Sequence, residues 1–203
     1  MRTSLLHLLV QGHYEARGEA DAIATSPYSS LFATGGDDCT VRVWDSSTFR
    51  QKYLHLVSSK VRALAYNPDG SQLACGCFEG TVRIFSDDLN DELAAIRLSS
   101  HWIQALCYSP DGLTLAAGSH DTKIYLISTK SYSICHICSG HHSFIASIDF
   151  STDSKVLQSS SGDYELLFWD AGDAKQIKSM AEACNIKWAS WTSTIGWPVQ
   201  VFY

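Results

Sequence analysis

Short apolar segments separated by turn-forming residues make up most of the chain. The segment VRALAY at residues 61–66 is followed by an Asn-Pro-Asp-Gly turn, by QLACG at 72–76, and by TVRIF at 81–85. Short runs of this kind, bounded by tight turns, are typical of β-strands. Proline presets the backbone angle at the second turn position and glycine accepts a positive φ. Because no long helical periodicity competes, the pattern predicts an all-β protein.

This pattern of strands and turns repeats at a fixed interval. Turns begin 41, 42 and 42 residues apart, at Ser26, Asn67, Ser109 and Ser151. A second set of anchors has the same intervals: Trp44-Asp45, Phe85-Ser86, Ile127-Ser128 and Trp169-Asp170. An acid stands six residues before each anchor: Asp38, Glu79, Asp121 and Asp163. Three features that share one period predict a fourfold repeat.

The period and its markers are typical of WD40 β-propellers, in which each repeat is a four-stranded blade. Gly12-His13 and Gly140-His141 supply the usual starts of the first and fourth units. We therefore predict a single WD40-repeat domain over residues 1–203, with about four blades plus a partial fifth in an incomplete ring. The predicted units are 12–52, 53–94, 95–136 and 137–178, with a partial unit at 179–203.

The residues that mark the repeat are predicted to hold each blade together, because buried polar groups need hydrogen-bond partners. The predicted blade-locking residues are His13, Asp38, Trp44, Asp121, His141, Asp163 and Trp169. In the second and third units, Phe85 and Ile127 stand in the tryptophan position. The networks of those two units are therefore predicted to be weaker or differently built.

Composition and charge exclude several classes of protein. Hydrophobic residues make up 45% of the chain and charged residues 18%, which argues against disorder. A net charge of -6 argues against nucleic-acid or acidic-membrane binding through a general positive field. No apolar run approaches the ~20 residues of a membrane helix. Seven cysteines, an odd number, and the lack of an Asn-x-Ser/Thr acceptor favour a reduced, cytoplasmic setting.

One cluster of possible metal ligands stands out, Cys135-His136-Ile137-Cys138 followed by His141 and His142. In a strand, positions three apart point to opposite faces, so Cys135 and Cys138 cannot share a metal without a bulge. The pair is predicted to hold no metal, and we expect no cofactor. Since the sequence has no Gly-rich phosphate loop, Gly-x-Ser-x-Gly elbow or His-Glu-x-x-His motif, nothing in it supports an enzyme.

Several segments resemble the echinoderm microtubule-associated-protein-like family: residues 9–13, 23–27, 37–45, 157–170, and 188–192 with Gly196. The resemblance spans nearly the whole chain. Its sharpest part is Trp-Ala-Ser-Trp-Thr at 188–192, which ordinary WD40 proteins do not carry at this place. The chain departs from the family at 21–23, where Asp-Ala-Ile replaces a usual Trp-Gly-Leu. This departure bears on how the first strand packs.

The resemblance implies a non-catalytic scaffold in the cytoskeleton that binds tubulin or microtubules and contributes to microtubule organisation. Family members are tandem propellers, often preceded by a coiled coil and a hydrophobic motif, and neither element is in this chain. The alternative is a WD40 adaptor or substrate receptor that recognises a peptide at the top face of the propeller. Residues 186–192 align with 145–151, so a fifth unit begins shortly before the sequence stops. We expect a fragment or truncated isoform that self-associates through open propeller ends or needs the missing blades.

The strand register also nominates one rim as a contact surface, since strand ends and loops are free of the core. The residues just before each first strand are Lys60, Trp102 and Phe144, and those just before each turn acid are Asp37, Phe78 and His120. Large aromatic groups at such positions often anchor interfaces. The alternative is that they tuck between the blades, and the sequence leaves both readings open.

Overall fold

Four antiparallel sheets of four strands each follow one another along the chain. They are seen in a computed structural model that describes residue 13 and residues 20–179, 185–190 and 192. We call each sheet a blade. Blade 1 contains β1 (Ala20–Thr25), β2 (Leu31–Gly36), β3 (Thr40–Asp45) and β4 (Arg50–Leu56). Blade 2 contains β5 (Val61–Tyr66), β6 (Gln72–Cys77), β7 (Thr81–Ser86) and β8 (Glu92–Arg97). Blade 3 contains β9 (Ile103–Tyr108), β10 (Thr114–Ser119), β11 (Lys123–Ser128) and β12 (Ser133–Ser139). Blade 4 contains β13 (Ile145–Phe150), β14 (Val156–Ser161), β15 (Leu166–Asp170) and β16 (Gln176–Ile177).

Each blade is a simple meander in which every strand pairs with the next. The first strands of neighbouring blades pack together, β1 on β5, β5 on β9 and β9 on β13. Among the described residues, β1 and β13 make no comparable contact, so the four blades form an open arc. The predicted all-β, incomplete propeller is confirmed. Within the same residues, no helix is long and apolar enough to cross a membrane.

Glycines on the second strands let the blades interlock. Val61, Ile103 and Ile145 begin the first strands of blades 2, 3 and 4, and all three are fully buried. Each packs onto a glycine of the preceding blade, and a Cβ built at Gly118 would lie only 2.5 Å from Ile145 Cγ2. Gly35 faces Val61 and Gly76 faces Ile103 in the same way. A side chain at these glycines would push neighbouring blades apart.

A β-bulge at the same position of each first strand shapes the centre of the arc. The pairing of these strands skips one residue per blade: Asp21, Arg62, Gln104 and Ala146. An extra residue in a bulge is unpaired, and its side chain is aimed away from the regular alternation. All four residues line one open cavity of about 250 Å³.

The departure from the family pattern at 21–23 does not prevent the first strand from forming. Ala22 is buried in the core between blades 1 and 2, while Ile23 is largely exposed. Asp21 accepts a hydrogen bond from Nη1 of Arg62. An ion pair between blades 1 and 2 thus occupies the position that departs from the family.

The described residues of the predicted fifth unit lie along blade 4. Trp188 forms an antiparallel bridge with Ser151, and the amide of Ala189 donates to the Phe150 carbonyl at 2.9 Å. The indole of Trp188 stacks on Phe168 with ring centroids 5.9 Å apart. Residues 180–184, 191 and 193–203 lie outside the described residues, so the boundaries of this unit stay a prediction.

The carboxylate of Asp149, fully buried in β13, anchors this segment. It accepts hydrogen bonds from the hydroxyls of Ser190 and Thr192 and from Nε2 of Gln158, the last at 3.2 Å. Ser190 and Thr192 belong to the Trp-Ala-Ser-Trp-Thr segment. Two polar positions of that segment therefore have a structural role, which is to satisfy a buried acid.

Candidate protein-binding rim

Backbone pairing places five of the six nominated rim residues at one end of blades 2, 3 and 4, and an ion pair with Lys60 places Asp37 beside them. The Phe78 amide donates to the Lys60 carbonyl at 2.8 Å, and the His120 amide donates to the Trp102 carbonyl at 2.9 Å. In blade 4 the equivalent bond joins the amide of Gly162 to the Phe144 carbonyl at 2.9 Å. In blades 2, 3 and 4 the residue before the first strand therefore lies beside the residue before the turn acid.

Four of these residues form a continuous row of ring contacts that crosses three blades. The ring centroids are 4.5 Å apart between Phe78 and Trp102, 4.5 Å between Trp102 and His120, and 4.6 Å between His120 and Phe144. We call these four residues the aromatic ladder. Its last ring lies over Gly162, where a Cβ would come within 2.3 Å of Phe144 Cε1. The ladder is thus built from alternating contacts within and between blades.

Charged residues continue the rim from the ladder onto blade 1. Lys60 Nζ lies 2.9 Å from Asp37 Oδ2, and Arg62 Nη2 lies 2.9 Å from Asp37 Oδ1. The Arg62 guanidinium carbon also lies 5.6 Å from the centroid of the Phe78 ring and 5.3 Å from that of Trp102. These are cation–π distances, so Arg62 joins the charged part of the rim to the ladder.

The ladder is packed on its faces and open to solvent at its edges. Phe78 and Phe144 are 36% and 38% exposed, and Trp102 and His120 are half-buried. Burial, with smaller contributions from His101 and Arg62, lowers the pKa of His120 below 6.5, so its imidazole is neutral at pH 7. The aromatic ladder is therefore a largely uncharged surface within the rim. The rings pack between the blades and also keep exposed edges, and their role as a contact surface stays a prediction.

Sequence reasoning missed Arg62 and Asp21, although both shape this surface. Their side chains leave the regular strand alternation because they are bulge residues, and register alone does not predict a bulge. One signal was available. Arg62 is the single charged residue in the otherwise apolar first strand of blade 2.

The predicted blade-locking residues of blade 1 are bonded to one another. His13 Nδ1 lies 2.8 Å from Asp38 Oδ1, and His13 Nε2 lies 2.8 Å from the hydroxyl of Thr34. The indole nitrogen of Trp44 donates to the same hydroxyl at 2.7 Å, and Thr40 Oγ1 donates to Asp38 at 2.8 Å. This network ties His13 to β2, to β3 and to the turn between them.

Blade 4 repeats only part of that network. His141 Nε2 lies 2.6 Å from Ser159 Oγ, which accepts a bond from the Trp169 indole at 2.8 Å. Asp163 instead accepts a hydrogen bond from the hydroxyl of Ser161. Glu165 takes the place facing the histidine, with Oε2 3.3 Å from His141 Nδ1.

Blades 2 and 3 lack the tryptophan and are built differently. Phe85 is fully buried and packs against His55, with ring centroids 4.7 Å apart. In blade 3, Ile127 is fully buried and Asp121 accepts a bond from the Tyr125 hydroxyl at 2.6 Å. Blade 2 thus has a ring contact of Phe85, and blade 3 has a hydrogen bond from Tyr125 to Asp121, in place of the histidine network of blade 1.

The strand that carries Cys135 and Cys138 does contain a bulge, and Cys135 is the unpaired residue. Cys138 is buried in the core, whereas Cys135 is exposed to solvent. The bulge therefore does not bring the two thiols to one side of the sheet. That they hold no metal stays a prediction.

Four meandering blades with interlocked first strands define a WD40-type β-propeller. A family model described as the echinoderm microtubule-associated protein second beta-propeller matches residues 21–203, and the chain belongs to this family. It is 37% identical over 195 residues to the 77 kDa echinoderm microtubule-associated protein of Lytechinus variegatus, covering 94% of this chain and 29% of that protein. It is 35% identical over 196 residues to Echinoderm microtubule-associated protein-like 2 of Homo sapiens, covering 95% and 30%. The chain thus spans less than a third of the length of these relatives.

Proposed function

We propose that this chain is a non-catalytic scaffold that binds tubulin or microtubules in the cytoskeleton of the cytoplasm and contributes to microtubule organisation. Its relatives are named as microtubule-associated proteins. The observation that carries the proposal for this chain is the aromatic ladder, a partly exposed row of rings at one end of the blades. Aromatic groups that are fixed in place lose little entropy on binding, which suits them to anchor a partner.

The proposed contact surface is the predicted rim, centred on Trp102 with Phe78 and Phe144 at its exposed edges. Its cations are already engaged, since Lys60 is paired with Asp37. With a net charge of -6 in addition, recognition relies on shape and aromatic contact rather than on a positive field. For the same reason we propose neither nucleic acid nor membrane as a partner.

The proposal of a non-catalytic role rests on how the marked polar residues are used. Asp38 and His13 are bonded to each other inside blade 1, and Asp149 holds the segment at 188–192. Groups engaged in this way support the fold and are not directed at a substrate.

The second candidate is an adaptor that takes a peptide of another protein at the same end of the propeller. The central cavity favours it, because Asp21, Arg62 and Gln104 offer polar groups there. Arg62 lies between this cavity and the aromatic ladder. A peptide with an acidic residue near an apolar one would fit both features.

Co-sedimentation of the purified 203-residue chain with stabilised microtubules tests the proposal. We expect saturable pelleting that weakens only modestly from low to physiological salt. A parallel spin without microtubules measures self-association through the open ends of the arc, which we also propose. Pelleting that never exceeds this control would contradict tubulin binding and leave the adaptor as the better candidate.

A further inference from the structure

The outer strands of the four blades differ in how their free edges are protected. An edge strand presents a row of unpaired backbone N–H and C=O groups, and proteins commonly guard such an edge with charged side chains or keep it short. β4 carries Arg50 and Lys52, β8 carries Glu92 and Arg97, and β16 has only two residues. β12 has seven residues, SICHICS at 133–139, with no acidic, lysine or arginine side chain. It is therefore the least protected of the four outer edges.

The free edge of β12 is also accessible. Six of its seven residues are exposed, and only Cys138 is buried. One side of the strand pairs with β11, and among the residues that the structure describes no strand pairs with the other side. The backbone groups on that side are thus available to one further β-strand.

The bulge in β12 brings two exposed isoleucines to the same face of the sheet. Ile134 pairs with Ile127 and Ile137 pairs with Tyr125, with Cys135 as the extra residue between them. Opposite residues of an antiparallel pair share a face, and positions 125 and 127 of β11 share a face because they are two apart. Without the bulge, positions 134 and 137 would point to opposite faces. Ile134 is 39% exposed and Ile137 is 45% exposed.

This spacing makes the edge complementary to itself. If two copies of β12 pair in antiparallel orientation about a two-fold axis at His136, then Ile134 of each copy lies opposite Ile137 of the other. Both residues are then on the same face of the joined sheet, as cross-strand neighbours must be. Four isoleucines form one apolar patch, and the strand brings no carboxylate, ammonium or guanidinium group into the pair. A two-fold contact of this kind needs only one sequence to supply both sides.

We propose that the free edge of β12 pairs with β12 of a second copy of this chain, which joins two third blades into one antiparallel sheet. The dimer is held by backbone hydrogen bonds along the edge and by the isoleucine patch. A contact made by one strand from each copy is small, below the roughly 1,200 Å² of stable interfaces, so the dimer forms in a concentration-dependent way. The contact lies on the outside of the arc, apart from the rim and from the open ends, and it does not rest on microtubule binding.

Sedimentation velocity over a range of concentrations tests the proposal with Ile134→Lys and Ile137→Glu. Each variant places an unpaired ion against an isoleucine at both ends of the strand pair, and dimerisation should weaken by about tenfold or more. Both side chains are partly exposed, so the monomer should fold, which melting transitions check. The matched control is Leu93→Lys, a 41% exposed residue on the outer strand of blade 2, which should associate as wild type does. Wild-type association in both β12 variants would place self-association at the open ends and refute this dimer.

An equimolar mixture of the two β12 variants tests the register of the pair. In a mixed dimer the introduced ammonium at position 134 of one copy lies opposite the introduced carboxylate at position 137 of the other, while the unchanged isoleucines meet at the other end. We expect the mixture to recover most of the lost dimerisation, and a carbodiimide to cross-link positions 134 and 137, as identified by mass spectrometry. Neither variant alone should give this cross-link. A mixture that associates no better than its components would overturn the pairing and leave the edge to a strand of another protein.

Discussion

The indole of Trp102 lies against the imidazole of His120, with ring centroids 4.5 Å apart and ring planes tilted by 30°, and the backbones of the two residues are joined by a 2.9 Å hydrogen bond. Trp102 precedes the first strand of blade 3, and His120 precedes the turn acid of the same blade. The same indole contacts Phe78 of blade 2. One residue thus links the rims of two blades.

Replacing Trp102 tests how far the aromatic ladder stabilises the arc. Trp102→Ala removes the contacts with both Phe78 and His120, and we expect it to lower the free energy of unfolding by about 2 kcal/mol, less than for a fully buried tryptophan. Trp102→Phe should recover more than half of this loss, because a ring is restored. Chemical denaturation measures both. Equal losses of unfolding free energy in Trp102→Ala and Trp102→Phe would show that the ring contacts of the ladder contribute little to stability.

Asp149 is expected to be essential for the placement of residues 188–192. Asp149→Ala leaves the hydroxyls of Ser190 and Thr192 and the amide of Gln158 without their acceptor, which should cost about 3 kcal/mol. Ser190→Ala removes one bond and should cost about 1 kcal/mol. Hydrogen exchange should also show faster exchange of the Ala189 amide in Asp149→Ala. Unchanged exchange there would contradict the anchoring role.

The interlock between blades 3 and 4 predicts a compensating pair of substitutions. Gly118→Ala places a methyl group 2.5 Å from Ile145 Cγ2 and should destabilise the chain by about 1–3 kcal/mol. The double variant Gly118→Ala with Ile145→Ala should lose less unfolding free energy than the sum of the losses of the two single variants. The reason is that the shortened side chain at 145 no longer meets the added methyl group. A double-mutant cycle by thermal or chemical unfolding measures the coupling. Strict additivity would mean that the two side chains do not meet.

The network of blade 1 predicts a specific acid sensitivity. Burial of the Asp38 carboxyl raises its pKa, but hydrogen bonds from His13 and Thr40 outweigh burial and lower the pKa from 3.8 to about 2. A lowered pKa stabilises the fold above the unfolded pKa and loses that stabilisation as the pH falls toward the folded value. The difference in unfolding free energy between wild type and Asp38→Asn should therefore shrink from pH 4 to pH 2. A constant difference over this window would contradict the assignment.

Turn chemistry and strand register made much of the fold predictable from the sequence. Gly70 adopts the positive φ that its Asn-Pro-Asp-Gly turn requires, and its amide bonds the Asn67 carbonyl at 3.0 Å. The positions of the nominated rim residues could be predicted because the strand register fixes where each strand ends. The role of Arg62 could not be predicted, because a β-bulge turns its side chain away from the regular alternation. The orientation of Asp163 also depends on a local competition, in which the Ser161 hydroxyl takes the carboxylate that would otherwise face His141.

The aromatic ladder as a microtubule contact is tested most directly by comparing microtubule affinities in co-sedimentation of wild type, the double variant Phe78→Ser with Phe144→Ser, and Tyr28→Ser. Tyr28 is a control outside the rim, an 81% exposed aromatic residue in the turn between β1 and β2, at the opposite end of blade 1. With all three proteins shown to be folded by their melting transitions, we predict that the double variant binds about tenfold or more weakly and that Tyr28→Ser binds as wild type does. Wild-type affinity in the folded double variant would contradict binding through this rim.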